Sequence, residues 1–201
     1  MEIDISKLRG RHVYLEPLLE DHREIIRALA KDERIWEFNR ALTINETYDK
    51  QFDAYFDFAI DPFGRGEQHA FVIHKTDSKE IIGMSRYYEL DEKHKRVAIG
   101  YTWYLPRIWT KVYNKECKLL LLQYAFEQMH FNRVEFTVAS QNIRSQKAVE
   151  KIGGIKEGLM RKHAYRNDGT QTDTVIFSII NDEWPGVKEK LIQLVAEGEN
   201  D

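Results

Sequence analysis

The chain has 201 residues, 42% of them hydrophobic and 31% charged, and a formal net charge of −3. That length allows one domain, residues 1–201, with a sizeable core. The faintly acidic balance excludes a general attraction to nucleic acid or to an anionic membrane, and the single cysteine, Cys117, excludes an internal disulfide framework.

A lone cysteine fits a reducing compartment, so a cytoplasmic location is expected. The opening residues lack a basic start followed by an apolar run, as a signal peptide requires. The longest apolar run, residues 119–122, is too short for a bilayer. The seven histidines are scattered and none pairs with a Cys or another His at zinc spacing, so no metal is expected.

In chain order, residues 13–17 read as a strand. Residues 18–30 read as an amphipathic helix, with Leu18, His22, Ile25, Ile26 and Leu29 on one face. Residues 34–39 form a polar-aromatic connector that ends at Asn39. Residues 45–59 form a second helix, with Tyr48, Phe52, Tyr55, Phe56 and Ala59 at helical spacing. A turn-rich break over 61–66 includes Arg65. Strands follow at 70–74, 81–90 and 97–105, the last two joined by a charged hairpin loop. The spacing predicts a helix over 115–130.

Residues 133–140 then alternate as a half-buried strand should. Asn142 is a good helix N-cap, because its side chain can accept a bond from a first-turn amide. Ala148, Val149 and Ile152 follow at helical spacing, and Gly153 and Gly154 stop the helix. A short strand comes next, then a strand at 172–181 and a helix at 185–196. The result is an α+β mixture with no internal repeat.

The stretch from Arg133 to Gly158, with Asn142-Ile-Arg-Ser145 at its centre, resembles the C-terminal half of a GNAT-type N-acetyltransferase. The similarity is to the branch that acetylates ribosomal-protein N-termini (alanine or serine). It extends to Arg161, Asn167-Asp168-Gly169, 173–178 and Glu183-Trp184, and covers the opening residues 8–17. The resemblance implies the GNAT fold: a mixed, mostly antiparallel sheet flanked by helices, with strands splayed at a coenzyme A site. It implies acetyl transfer from acetyl-CoA directly to a primary amine, either a protein N-terminus or a small molecule, and a possible homodimer.

In the family, the loop before the long helix cradles the coenzyme A diphosphate, commonly as Gln/Arg-X-X-Gly-X-Gly/Ala. The matching positions here are Trp109, Val112 and Asn114, and the loop has no glycine. Trp103, Tyr104, Leu105, Thr110, Lys111, Val112, Tyr113, Asn114 and Lys115 are the implied coenzyme contacts, with Asn142 and Ser145 on the next turn. Asn114 could also cap the helix. By resemblance, Asn142 would bond the pantetheine arm and Ser145 would lie near the thioester sulfur. Many relatives carry a tyrosine where this chain has Val149, and a glutamate where it has Ala98.

Glu89 is one substitute for the missing base; Tyr87, Tyr101, His163 and Tyr165 are others. Trp36, Phe38 and Tyr87, with Tyr48, Tyr55 and Phe56, would wall the acceptor site, and Glu37 and Asp53 could face a cationic amine. Cys117 reads as buried filler. The missing glycines, the absent tyrosine and Ala98 leave a second reading open: a module that binds an acyl-coenzyme A or an amine without turnover.

Overall fold

The computed structural model describes residues 2–38, 41–64, 66–165 and 169–198. Asn39, Arg65, Asn167 and Asp168, named above, lie outside them. Among the described residues seven strands form one sheet: β1 Val13–Pro17, β2 Glu67–Lys75, β3 Ile81–Asp91, β4 Arg96–Tyr104, β5 Arg133–Ala139, β6 Ile155–Tyr165 and β7 Gln171–Ile180. Their order is β1-β2-β3-β4-β5-β7-β6. Every neighbouring pair is antiparallel except β4 and β5. The α+β expectation holds.

Six α-helices are seen among the described residues: α1 Arg23–Leu29, α2 Glu33–Trp36, α3 Tyr48–Ile60, α4 Val112–Gln123, α5 Ile143–Lys151 and α6 Trp184–Glu197. Side-chain bonds show which face each layer covers. Trp103 of β4 donates to the Tyr55 hydroxyl of α3 on one face, and Tyr87 of β3 donates to the Leu121 carbonyl of α4 on the other. α1 is tied to α3 through Arg23 and Arg27, which both reach Asp53. α6 lies on α4 and on the turn that follows it, where Trp184 stacks on Phe126 at 5.3 Å and bonds Glu127. No helix of the described residues is long and apolar enough to cross a membrane.

Several boundaries differ from expectation, for local reasons. Residues 18–30 do not share one helical face. A 3-10 turn, Glu20–His22, precedes α1, and Ile25 is exposed while Ile26 is buried. The connector at 34–39 overlaps helix α2, because Asp32 accepts the Arg34 amide at 3.1 Å and caps it. The second helix starts at Tyr48, since Asn45 holds residues 45–47 in a turn through the Thr47 amide. The strand after Gly154 is long, not short. It is an edge strand paired to β7, and its charged side chains suit an unpaired edge.

The helix predicted over 115–130 begins earlier, at Val112, and changes to a π-helical turn at Tyr124–Gln128. Its N-cap is Lys111, in an extended conformation. Asn114 therefore lies inside the first turn and is not the cap.

Candidate active site

β4 and β5 pair at only three positions, ending with Ala98 opposite Glu135. Beyond them the two parallel strands part and leave a wedge. The cause is local to β4. Between Met84 and Arg86 on β3, the facing positions on β4 run from Trp103 to Gly100, so β4 carries one extra residue. Such a bulge bends its strand. Tyr101, inside it, has φ +50, an unusual value for a residue with a side chain. Gly100 permits the arrangement. A Cβ there would sit 2.8 Å from the Tyr88 ring.

Two helix N-termini follow the two strands that line the wedge. α4 follows β4, and no side chain caps it. Its first-turn amides at Val112, Tyr113 and Asn114 remain available to an anion, where the helix dipole favours negative charge. Thr110, with φ +71, turns the chain into this helix. Lys115 does not simply face that loop: its Nζ lies 3.0 Å from where a Cβ on Gly198 would be, near the C-terminal end of α6. α5 follows β5. Asn142 Oδ1 accepts the Ser145 amide at 3.0 Å, the expected cap. Ser145 is partly accessible in the first turn of α5. Arg144, which spacing alone does not single out, lies 3.9 Å above the Trp109 ring and joins the two turns. Its position inside the Asn142-Ile-Arg-Ser145 turn is the sequence signal for it.

Trp103, Tyr104 and Leu105 are buried. Along this stretch the β4 edge facing β5 makes no strand pairing. Any contact they make with a ligand in the wedge is more accessible to backbone than to side chains.

The acceptor-side predictions divide. Trp36 is buried against Tyr55 and Trp103, with its indole bonded to the Ala30 carbonyl. It also lines a cavity of about 250 Å³ with Glu33, Glu37, Leu42, Thr43 and Ile44. Phe38 is half-buried just after α2. Tyr48 and Phe56 are core residues. Asp53 is occupied by Arg23 and Arg27.

Tyr87 is a correction. It is fully buried on the α4 face, opposite α3, and its hydroxyl is bonded to Leu121. Burial raises its pKa well above the usual phenol range. It cannot wall an acceptor site on the α3 side or relay a proton there.

Glu89 is half-buried at a second bulge with φ +50, between the positions opposite Ala98 and Arg96. That is the closed side of the wedge. His163 pairs with Thr174, and Tyr165 is exposed and bonded by Gln171, both at the β6–β7 end of the sheet.

Tyr101 stacks on a buried cation. The Arg86 guanidinium lies 4.2 Å from its ring, 1% exposed, with one bond to Gln68 at 3.0 Å. Its Nε and Nη2 have no hydrogen-bond partner among the described residues. Burial lowers its pKa.

On the α4 face, the bulge region carries Thr102. Its Oγ1 bonds Ser85 at 2.8 Å and receives Lys118 Nζ at 3.0 Å. Cys117 is fully buried, and burial pushes its thiol pKa up, as suits filler. The fold also brings together Glu16, His22 and His74, which a scan of linear spacing does not see. Their ligand atoms lie within 4.8 Å of one another. His22 Nδ1, however, accepts the Leu19 amide, so the ring proton sits on Nε2, where a metal would need a lone pair.

The family model described as Acetyltransferase (GNAT) domain matches residues 12–155. The uncharacterised N-acetyltransferase YoaA of Bacillus subtilis (strain 168) is 33% identical over 108 residues, 54% of this chain and 60% of YoaA. YdaF of the same organism, provisionally named a ribosomal N-acetyltransferase, is 34% identical over 109 residues, 54% of this chain and 58% of YdaF. The chain thus spans about three fifths of the length of these two relatives. A crystal structure from T. thermophilus, provisionally named an acetyltransferase, superposes with a TM-score of 0.80 at 31% identity, covering 92% of this chain and 95% of that one.

Proposed function

The chain belongs to the GNAT acetyltransferase family, and on that premise we propose that it is one acetyltransferase unit that moves acetyl from acetyl-CoA to a primary amine. The observation that carries this is the wedge: β4 and β5 stop pairing at Ala98 and Glu135, and the two strands lead into the N-termini of α4 and α5. The residues present fit a long phosphorylated thioester. Free first-turn amides on α4, with Lys111 and Arg144 beside them, suit a pyrophosphate despite the missing glycines. The unpaired edge of β4 suits a pantetheine arm, which Asn142 would bond.

When bound, acetyl-CoA supplies an acyl carbon already activated as a thioester. The chain's part is to hold it beside an amine, and proximity alone supplies a large share of such rates. Ser145 would donate to the sulfur as negative charge develops there. Glu89, on the closed side of the wedge, is the proposed proton acceptor. The acceptor would approach from the α3 face. Glu33, Glu37 and Trp36 at the outer cavity attract a cation, while buried Arg86 beside Tyr101 disfavours a protonated amine near the bulge. That gradient favours the neutral amine that acyl transfer needs. The provisional name of YdaF points to a protein N-terminus as acceptor, and a small amine is the alternative.

The test is a thiol-release assay with acetyl-CoA and two acceptor sets, peptides with free N-termini and small primary amines. N-terminally blocked peptides serve as controls. Amine-dependent thiol release supports transfer. Coenzyme binding without release under any acceptor would support the non-catalytic reading.

A further inference from the structure

Lys118 is an unexpected residue in the middle of α4. It is 7% exposed, although a lysine in a helix ordinarily keeps its charge in water. Its Nζ donates to Thr102 Oγ1 of β4 at 3.0 Å and lies 5.9 Å from the Phe136 ring of β5. Phe136 is the first β5 residue beyond the last β4–β5 pair. The ammonium therefore lies on the α4 face of the sheet, beneath the stretch where β4 and β5 have stopped pairing. Among the described residues it makes one hydrogen bond where it could make three.

Among the described residues nothing neutralises it. On α4, Glu116 is committed to the amides of Arg11, His12 and Val13, and Cys117 is an un-ionised thiol. On β4 the neighbouring group is the Thr102 hydroxyl, and the Tyr104 hydroxyl lies beside Cys117. On β3, Ser85 shares the Thr102 hydroxyl with Lys118. On β5 the neighbour is the uncharged Phe136; Glu135 there pairs with Arg133 and Arg96. Among the described residues no carboxylate pairs with Lys118.

A buried charge without a partner is costly, and replacing it by a well-packed apolar residue is often neutral or stabilising. Burial accordingly pulls its pKa down to about 8, so a large fraction stays protonated near neutrality. A charge kept at that cost, beneath the point where two strands part, is suited to an anion that forms there.

We propose that the Lys118 ammonium faces the thioester sulfur at the closed end of the wedge and offsets the negative charge left on it. This rests on the acetyl-transfer reading above and adds a residue to it. The amine nitrogen takes the acetyl carbon. The carbon–sulfur electron pair stays on sulfur, and the amine's proton passes to the base or to water. Lys118 keeps its own proton throughout. Ser145 and Lys118 then approach the sulfur from different elements, one as a neutral donor and one as a charge. Preorganised groups of this kind act most strongly where water is excluded.

The direct test is the thiol of bound coenzyme A, titrated by the ultraviolet absorbance of its thiolate on wild type, Lys118→Met and Lys118→Arg. Wild type should lower the bound thiol's pKa by at least about one unit relative to Lys118→Met, and Lys118→Arg should keep most of that shift. Lys118→Met should also cut turnover roughly a hundredfold with little change in KM for acetyl-CoA, and should melt no lower than wild type. An unshifted bound thiol on wild type, compared with free coenzyme A, overturns the proposal even if the Met variant does not fold. So does a Met variant that keeps both the thiol pKa and full turnover, or one whose only change is a lower melting temperature. Failure of wild type to bind coenzyme A in calorimetry would instead remove the acetyl-transfer reading itself.

Discussion

Glu116 fastens the helix of the candidate site to the first strand, and its removal should be among the most damaging single changes in the chain. Its carboxylate is 5% exposed and accepts three backbone amides: Arg11 at 2.9 Å, His12 at 2.7 Å and Val13 at 2.6 Å. Bonds to a charged acceptor contribute more than neutral ones, and an orphaned buried donor costs about 1–3 kcal/mol. The Val13 bond is buried, so Glu116→Ala should lose about 2 kcal/mol there. The other two amides can partly reach water, at about 1 kcal/mol each. The total is about 4 kcal/mol, which for a chain of this size lowers Tm by roughly 8–16 °C. Glu116→Gln keeps one acceptor but turns an NH₂ toward the amides, and should lose about half as much.

The same contact explains Gly10. A Cβ there would sit 2.5 Å from Glu116 Cδ, and the carboxylate is pinned by its three bonds and cannot swing aside. Gly10→Ala should therefore destabilise wild type by about 1–2 kcal/mol and be nearly neutral in the Glu116→Ala background. Urea unfolding of the four proteins measures this cycle. A Glu116→Ala loss under about 1 kcal/mol, or additive effects at the two sites, would refute the reasoning.

Asn142→Ala should cost about 1 kcal/mol through the lost cap and raise KM for acetyl-CoA. A stability loss with unchanged coenzyme affinity would leave Asn142 as a cap alone. Ser145→Ala should lower turnover more than coenzyme binding, because its bond strengthens as charge develops on sulfur; steady-state kinetics beside calorimetry separate the two. Glu157 accepts bonds from Arg133 and Ser178, which hold its pKa at about 2. A carboxylate depressed in the folded state contributes stability above its unfolded pKa of about 4.3, and that contribution fades as pH falls toward 2. Glu157→Gln should therefore lower stability by about 1 kcal/mol at pH 7, a modest figure because the pair is partly exposed. The gap in Tm from wild type should close between pH 5 and 2; a gap that stays constant would contradict the assignment.

Much of the sheet was legible from period-two alternation and turn residues. Strands expected at 81–90, 97–105, 133–140 and 172–181 fall within a residue or so of β3, β4, β5 and β7. The Asn142 cap was legible for the same kind of reason, since it depends on residues next to each other. The start of α4 was not. Thr110 takes a left-handed conformation that its side chain does not advertise, and extended Lys111 begins the helix without a capping side chain.

Faces were harder still. Alternation along β3 separates Tyr87 from Tyr88, but it cannot say which face α4 covers. The error over Tyr87 came from that. In the sequence nothing distinguishes Lys118 from a solvent-facing helical lysine. Its burial depends on α4 lying across the point where β4 and β5 part, a contact far apart in sequence. Arg86 was invisible for the same reason, as its aromatic neighbours come from α3 and β4.

The central claim is that the β4–β5 wedge and the two helix N-termini beside it hold acetyl-CoA. Backbone amide NMR on titration with acetyl-CoA tests it most directly. Saturable shifts should concentrate at residues 99–104, 110–115, 136–139 and 142–145, with one equivalent bound per chain. Shifts confined to the β1–β2 edge, or none at millimolar ligand, would contradict it.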